Sequence, residues 1–261
     1  MIHFLGNGGF IGNGLPYNSF FVDGNFLIEC PPDIMTTMRN QGIQLSQIKR
    51  IFLSHFHGDH YFGMPFFTLN LLTLYPEETH EIIKIDVIGP KGIRDHIIHL
   101  QQTAISPDNP SVPWIDKIYN FIEIDQSSHL QLNDKDEMVF HRMSHSKETY
   151  GFSIIRNNKY ELTYLSDTIW DDSFLKVISN KPKYVICDLN SDSTDKIQMH
   201  MAEKDIIEKA IPVTGAATIY VGTHLRDNRI ANQENILYAT AGTKIEIRES
   251  PRRGQVSRFQ K

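Results

Sequence analysis

The chain has 261 residues, 40% of them hydrophobic and 22% charged, with a formal net charge of −5 when its histidines are neutral. That length supports a sizeable apolar core in one large domain or two small ones, and the composition excludes a fibrous or disordered chain. The acidic balance sets up no broad basic field of the kind a dedicated nucleic-acid binder carries.

In chain order, Ile2-His3-Phe4-Leu5 reads as a strand closed by the tight turn Gly6-Asn7-Gly8-Gly9. The first ten residues lack a charged region followed by an apolar one, so no secretory leader is read there and a cytoplasmic location is expected. Ser19 to Val22 and Phe26 to Glu29 form two strands around Asp23-Gly24-Asn25. Ile34 to Asn40 has helical spacing, with Asp33 as its N-cap and Gly42 as its stop. The β run Arg50-Ile51-Phe52-Leu53 ends at a histidine cluster, and Met64 to Leu74 follows as a buried helix. Ile85 to Ile88 is a strand, Ile93 to Gln102 an amphipathic helix, and the proline-bearing stretch 105–116 a loop. Strands are expected at Tyr119 to Ile124, Met138 to Met143, Tyr150 to Ile155, Tyr160 to Tyr164, Lys183 to Cys187 and Thr218 to Val221, with a helix at Met201 to Ala210. The basic tail Ser250 to Lys261 is expected to be peripheral. No apolar run approaches about 18 residues, so no membrane span is expected. Cys30 and Cys187 belong to no C-x-x-C pair and are expected as buried free thiols. With no internal repeat and no linker, residues 1–261 are expected to form a single domain of mixed α and β structure.

Twelve histidines stand out. His3, His80, His96, His99, His129 and His141 have no evident partner in the sequence. Of the other six, five follow strands and His200 leads a helix. The sharpest signal is Ser54-His55-Phe56-His57-Gly58-Asp59-His60: three imidazoles and a carboxylate just beyond an apolar strand. In such a turn His55 and His57 can point to one side and Asp59 and His60 to the other. A histidine-rich surface turn would account for two histidines two apart, but not for the full H-x-H-x-D-H string. Imidazole and carboxylate suit Zn²⁺, Mn²⁺ or Fe²⁺. Four ligands split between two faces point to two ions, which together activate a bridging water and clamp attacking and leaving oxygens. Completing two coordination shells needs ligands from elsewhere. Three residues offer themselves, each directly beyond a β run: His145 after Met143-Ser144, Asp167 after Tyr164-Leu165-Ser166, and His224 after Tyr220-Val221-Gly222-Thr223.

At these residues the chain resembles the metallo-β-lactamase fold superfamily, and within it the ribonuclease Z-like branch that includes small phosphodiesterases. Ile48 to Ser54 ahead of the cluster, Phe62-Gly63-Met64-Pro65 behind it, Ile88-Gly89-Pro90-Lys91-Gly92, His145 followed by Tyr150-Gly151-Phe152, and Met199-His200-Met201-Ala202 carry the likeness. The resemblance implies a four-layer αββα sandwich, two mixed β-sheets flanked by helices, with metals at one sheet edge. It implies a first metal on His55, His57 and His145, a second on Asp59, His60 and His224, and Asp167 bridging them. Zinc is the favoured ion, with manganese and iron as alternatives. Asp59 and His200 are the residues given catalytic roles, His200 as a donor to a phosphoryl or leaving oxygen. Relatives of this kind are often dimers, so a homodimer is compatible.

The chain departs from the transfer-RNA enzyme in two places. Where that branch carries a His-Glu-Ala-Thr-type element, this chain reads Cys187-Asp188-Leu189-Asn190, and no long glycine- and proline-rich arm lies between Asp167 and His200. The expected activity is therefore hydrolysis of a small-molecule or nucleotide-like phosphodiester by a metal-bridging hydroxide, rather than transfer-RNA processing. Thioester, lactone or sulfate-ester hydrolysis on the same site is the alternative, and a non-catalytic metal-binding scaffold is a third. Pocket walls are expected from 61–80 and 103–118, with Tyr61, Phe62, Phe66 and Phe67 either in the core or facing a base or acyl group.

Overall fold

Strand pleating sends alternate side chains to opposite faces, and in this chain both faces are apolar. The structure is a computed structural model and describes residues 1–78, 84–146, 148–192, 195, 199–231 and 233–247. Its strands are β1 (Ile2–Gly6), β2 (Ser19–Val22), β3 (Phe26–Ile28), β4 (Arg50–Phe52), β5 (Ile85–Pro90), β6 (Tyr119–Ile124), β7 (His129–Asn133), β8 (Asp136–Arg142), β9 (Tyr150–Arg156), β10 (Lys159–Leu165), β11 (Tyr184–Asp188), β12 (Ile219–Thr223), β13 (Ile236–Tyr238) and β14 (Lys244–Ile245). They form two seven-stranded sheets, ordered β14-β1-β2-β3-β4-β5-β6 and β13-β12-β11-β10-β9-β8-β7. Both are mixed. The first is parallel from β3 to β6, the second from β10 to β13.

Phe4, Phe20, Phe26, Phe52 and Ile88 of the first sheet meet Phe140, Phe152, Tyr164, Ile186 and Val221 of the second in a shared core. The intervening Leu5, Phe21, Leu27, Ile51 and Val87 face outward onto helices. Those helices are α1 (Ile34–Asn40), α3 (Met64–Glu78) and α4 (Ile93–Ala104), with the short α2 (Gly58–Tyr61) ahead of α3. α5 (Ile115–Ile118), which precedes β6, packs Ile115 and Ile118 into that same outer core, whereas on the far side α6 (Ser173–Ile178) lies between β10 and β11. There α7 (Glu203–Asp205) continues through a π-helical turn (Ile206–Ala210) into α8 (Ile211–Thr214). Phe174, Ile178, Ile206 and Ala210 pack on Val185, Cys187 and Tyr220. The four layers are therefore α, β, β, α, as the resemblance implies.

Several details differ from expectation. Asp33 makes no side-chain cap to α1; its Oδ2 instead accepts the Tyr17 N–H at 3.1 Å. The stretch 105–116 is not all loop, because Val112–Trp114 forms a 3₁₀ turn and α5 follows it directly. The helix expected to end at Ala210 runs on to Thr214. Strands β7, β13 and β14 and helix α6 were not expected: they are two to six residues long, too short for a periodic signal. Cys30 and Cys187 are buried free thiols. Among the described residues no helix is long and apolar enough to cross a membrane. His80 and the tail 250–261 lie outside the described residues.

Candidate metal centre

The site forms where the carboxyl ends of parallel strands from both sheets meet, a position where loops are held by the scaffold yet open to solvent. Beyond β4, Leu53 to His57 lies outside regular structure, His57 itself is extended, and α2 begins at Gly58. His55 and His57, two apart, share one face, while Asp59 and His60 fall on the first helical turn. His55 and His57 join His145 and Asp167 in one group of donor atoms mutually within 4.8 Å, and Asp59 and His60 join Asp167 and His224 in another. Asp167 is common to both. His57 Nδ1 lies 3.2 Å from His145 Nε2. His224 Nε2 lies 3.2 Å from Asp59 Oδ2 and 3.3 Å from Asp167 Oδ2, and His60 Nε2 is 3.3 Å from Asp167 Oδ1. All seven side chains expected as ligands are thus brought together, across both sheets.

His224 sits just past β12 with φ +57°, a left-handed conformation that is costly for a side chain other than glycine. The surroundings impose it. Leu225 N donates to Asn7 O (2.7 Å), Gly9 N donates to Leu225 O (3.0 Å), and Asn190 Nδ2 donates to His224 O (2.7 Å). A Cβ at Gly9 would lie 2.7 Å from His224 Nδ1 and 2.5 Å from Asn190 Nδ2, so the close approach requires glycine.

Two carboxylates that carry no motif in the sequence hold the imidazoles from behind. Glu29, fully buried just past β3 with φ +63°, accepts hydrogen bonds from Ser54 N (3.2 Å) and Tyr164 Oη (3.1 Å), and its Oε1 lies 3.4 Å from His60 Nδ1. Asp188, the last residue of β11, has Oδ1 3.4 Å from His224 Nδ1 and Oδ2 2.5 Å from His200 Nδ1. His200, expected near the scissile bond, is thereby drawn into a third group with Asp167, Asp188 and His224. Cys187-Asp188-Leu189-Asn190, read in the sequence as lacking a histidine and its partner, in fact supplies the carboxylate that pairs with His200. In each case a carboxylate faces Nδ1, within hydrogen-bond distance at His200 and at 3.4 Å at His60 and His224, and leaves Nε2 as the nitrogen available to the centre. For His55 the same task falls to Ser54, whose Oγ lies 2.9 Å from His55 Nδ1.

These residues fit a cation centre. His55 Nε2, His60 Nε2 and Asp167 Oδ1 are buried without a hydrogen-bond partner, a costly state that a bound cation relieves. Burial, with the neighbouring His60, pushes His55 well below the ordinary histidine value, towards the neutral form that ligates metal. Burial also penalises charge at His60 and His224, but carboxylates prevail: Asp167 and Glu29 hold His60 well above its ordinary value, and Asp167 and Asp188 push His224 up to about 10. Asp167 itself, though buried, is held well below the usual carboxylate range by His224 and His60. The acidic half of the centre therefore demands positive charge, supplied by protons when no metal is there and by a divalent ion in their place.

A cavity of about 530 Å³ opens over the centre, lined by His57, Asp59, His145, Asp167, His200 and His224 below and by Phe10, Ile11, Asn190, Ser191, Met199 and Arg226 around it. Among the described residues none of 61–78 or 103–118 lines it, contrary to the walls expected at 61–80 and 103–118. Tyr61 and Phe67 are core, and Phe62 and Phe66 are exposed without lining it. The aromatic composition of 61–67 serves the packing of α3 on the first sheet. The walls come instead from the loop after β1, whose Phe10-Ile11 is too short to signal a pocket, and from the chain around His200. Of the histidines without an evident partner, His141 shares a hydrogen bond with Ser153 Oγ (2.8 Å) and His96 stacks on Phe56.

Comparison with known proteins agrees with this geometry. A family model described as anti-Pycsar protein Apyc1 matches residues 3–236. Ribonuclease Z from Picrophilus torridus is 36% identical over 100 residues, 37% of this chain and 31% of the relative. Ribonuclease Z from Ligilactobacillus salivarius is 29% identical over 118 residues, 44% of this chain and 33% of the relative. The match thus spans about a third of the length of these curated relatives. Among solved structures, the metallo-β-lactamase fold protein YhfI from Bacillus subtilis aligns with TM-score 0.71 at 14% identity, over 93% of this chain and 97% of that one. The short form of human tRNase Z aligns with TM-score 0.70 at 19% identity, over 95% and 99%. A diphosphatase of the PhnP family aligns with TM-score 0.69 at 16% identity, over 95% and 97%. These likenesses establish the metallo-β-lactamase fold, and the sequence relatives are hydrolases of the ribonuclease Z kind.

Proposed function

The chain belongs to the anti-Pycsar protein Apyc1 family, and from that premise and its site we propose that it is a binuclear metal-dependent phosphodiesterase acting on a small, nucleotide-like diester. The carrying observation is the pair of donor groups that overlap at Asp167, with buried donor atoms left unpartnered between them. In this reading His55, His57 and His145 hold one ion, Asp59, His60 and His224 the other, and Asp167 both. A nitrogen-rich set completed by carboxylates favours zinc, with manganese or iron as substitutes. When bound, such ions activate water and neutralise charge on phosphoryl oxygens.

The chain's own residues supply the rest. Asp188 accepts a hydrogen bond from His200 Nδ1 and leaves Nε2 as that ring's free nitrogen, able when protonated to donate to the leaving oxygen. Asp59, beyond its role as ligand, can accept a hydrogen bond from the attacking water. The diester preference draws support from the names of similar proteins, ribonuclease Z, tRNase Z and a diphosphatase, all of which concern bonds at phosphorus. A small substrate suits a cavity of about 530 Å³, and the net charge of −5 disfavours transfer RNA. The core shared by both sheets supports residues 1–261 acting as one domain.

Purified protein loaded with Zn²⁺ or Mn²⁺ is expected to hydrolyse bis-p-nitrophenyl phosphate and to do so faster than a matched panel of thioesters, lactones and sulfate esters. Turnover of a thioester, lactone or sulfate ester without turnover of the diester would replace this reading with the alternative chemistry. Stable metal binding without any turnover would favour a scaffold.

A further inference from the structure

The cavity over the centre is polar at its floor and apolar at its lip. The lip is built from three side chains, Phe10, Ile11 and Met199, which are 75%, 62% and 62% exposed. Large apolar side chains held in water gain nothing for the fold, and grouped beside a polar cavity they mark a surface that meets a ligand.

This lip is held in place at both of its walls. On one side, Gly9 packs against His224 and its N–H is bound to Leu225 O, while Asn13 N donates to Arg226 O (2.9 Å) and Asn13 Nδ2 donates to Asp227 Oδ1 (2.6 Å). The chain between those anchors is a short tip carrying Phe10 and Ile11. On the other side, Met199 directly precedes His200, whose ring is tied to Asp188. Each wall thus stands beside a residue of the centre, so any group gripped by the lip is fixed relative to the donor atoms below.

We propose that Phe10 and Ile11, which line the same cavity as Met199, hold a flat aromatic group of the substrate and select for it. This rests on the phosphodiesterase reading for the identity of the anion below, but the grip itself is a binding property. A planar ring has both the stacking face for Phe10 and the thickness for a slot closed by a flexible thioether. The occupant is a small molecule, because the lip is continuous with a cavity of about 530 Å³. Phe10 and Ile11 belong to none of the donor groups, so they act as specificity residues.

The test is equilibrium binding to the full-length zinc- or manganese-loaded protein, by calorimetry, of phenylphosphonate against methylphosphonate, two anions that are not hydrolysed. The wild type is expected to bind the phenyl compound about tenfold more tightly. Phe10→Ala and Ile11→Ser together remove that preference and leave methylphosphonate binding within twofold; Phe10→Trp keeps it. Equal binding of the two anions by the wild type, or a preference that survives the double substitution, overturns the proposal. So does a changed association state on gel filtration with the preference intact, which would assign the lip to another copy of the chain. Diester hydrolysis is assayed in parallel. Phenyl preference without turnover leaves the lip standing and removes the phosphodiesterase reading, whereas turnover without preference does the reverse.

Discussion

Asp188 Oδ2 lies 2.5 Å from His200 Nδ1, although the pair comes from the end of β11 and from the segment leading into α7. The same carboxylate reaches His224 Nδ1 at 3.4 Å and accepts the Thr168 and Asn190 N–H groups. One buried side chain therefore stands behind both His200 and His224. If His200 protonates the leaving oxygen, His200→Ala lowers kcat by roughly 10²–10⁴-fold on a diester with a poor alkoxide leaving group. The loss is much smaller on a nitrophenyl ester, whose leaving group needs little help. Metal content is unchanged. Asp188→Asn gives a similar leaving-group dependence and also weakens metal binding, since His224 loses its support. Equal losses of kcat on both esters for His200→Ala would remove the donor role.

Asp167 is the side chain common to the two donor groups. Its replacement by Asn removes a charge from a centre whose histidines His60 and His224 are held up by carboxylates. Metal analysis of the purified wild type is expected to give two ions per chain. Asp167→Asn is expected to lose both, His224→Ala chiefly one, and His57→Ala chiefly the other. Chelation of the wild type should lower Tm, because the freed donor atoms remain buried without partners and the ions stabilise only the folded chain. A wild-type stoichiometry near one, unchanged by either histidine substitution, would show that a single ion is held.

Legibility in the sequence followed from how local each signal is. His55 to His60 could be read because the candidate donors are nearly consecutive and their geometry is set by one turn. His145, Asp167 and His224 could be read because each stands at the end of an apolar run. The four layers followed from the resemblance, and the strands β1 to β6 show why: their apolar residues alternate between two cores. Glu29 and Asp188 could not be read. Each is a lone acid at a strand end, and its role exists only because another part of the chain, His60 or His200, folds against it. The cavity walls were misassigned for the opposite reason. Tyr61, Phe62, Phe66 and Phe67 are compositionally conspicuous, yet they serve helix packing or solvent, while Phe10, Ile11 and Met199 are brought to the mouth by turns that leave no period in the sequence.

His141 shows how a histidine away from the centre shapes pH behaviour. It lies on β8, its Nε2 shares a hydrogen bond with Ser153 Oγ (2.8 Å), and burial lowers it from 6.5 to about 4. The folded state thus prefers the neutral ring, and between about pH 6.5 and 4 the unfolded chain binds more protons than the folded one. Stability from this source is complete above 6.5 and is lost as pH falls towards 4, by at most about 3 kcal/mol given partial solvent access. His141→Gln keeps a partner for Ser153 and removes the titration. Urea unfolding of wild type and variant, each at pH 7.5 and 4.5, is expected to give a smaller drop for the variant. Parallel drops would assign the acid sensitivity elsewhere.

Glu29 is the corresponding test of the support behind His60. Its two oxygens receive Ser54 N–H and Tyr164 O–H, and Oε1 faces His60 Nδ1 at 3.4 Å. Tyr164 Oη in turn accepts Asn18 Nδ2 (3.1 Å), and Thr223 Oγ1 donates to Asn18 Oδ1, so a buried polar chain runs from His60 to the residue before His224. Glu29→Gln keeps the volume but removes the charge that fixes the His60 tautomer. Metal affinity is expected to fall by about 10–100-fold, with kcat at saturating metal changed far less. Tyr164→Phe leaves the carboxylate in place and removes two buried hydrogen bonds, to Glu29 and from Asn18. It is expected to cost about 1–3 kcal/mol of stability with metal affinity nearly unchanged. Metal titration with a competing chelator separates the two effects. Equal loss of affinity in both variants would mean that the polar chain acts as packing, and that Glu29 has no particular hold on His60.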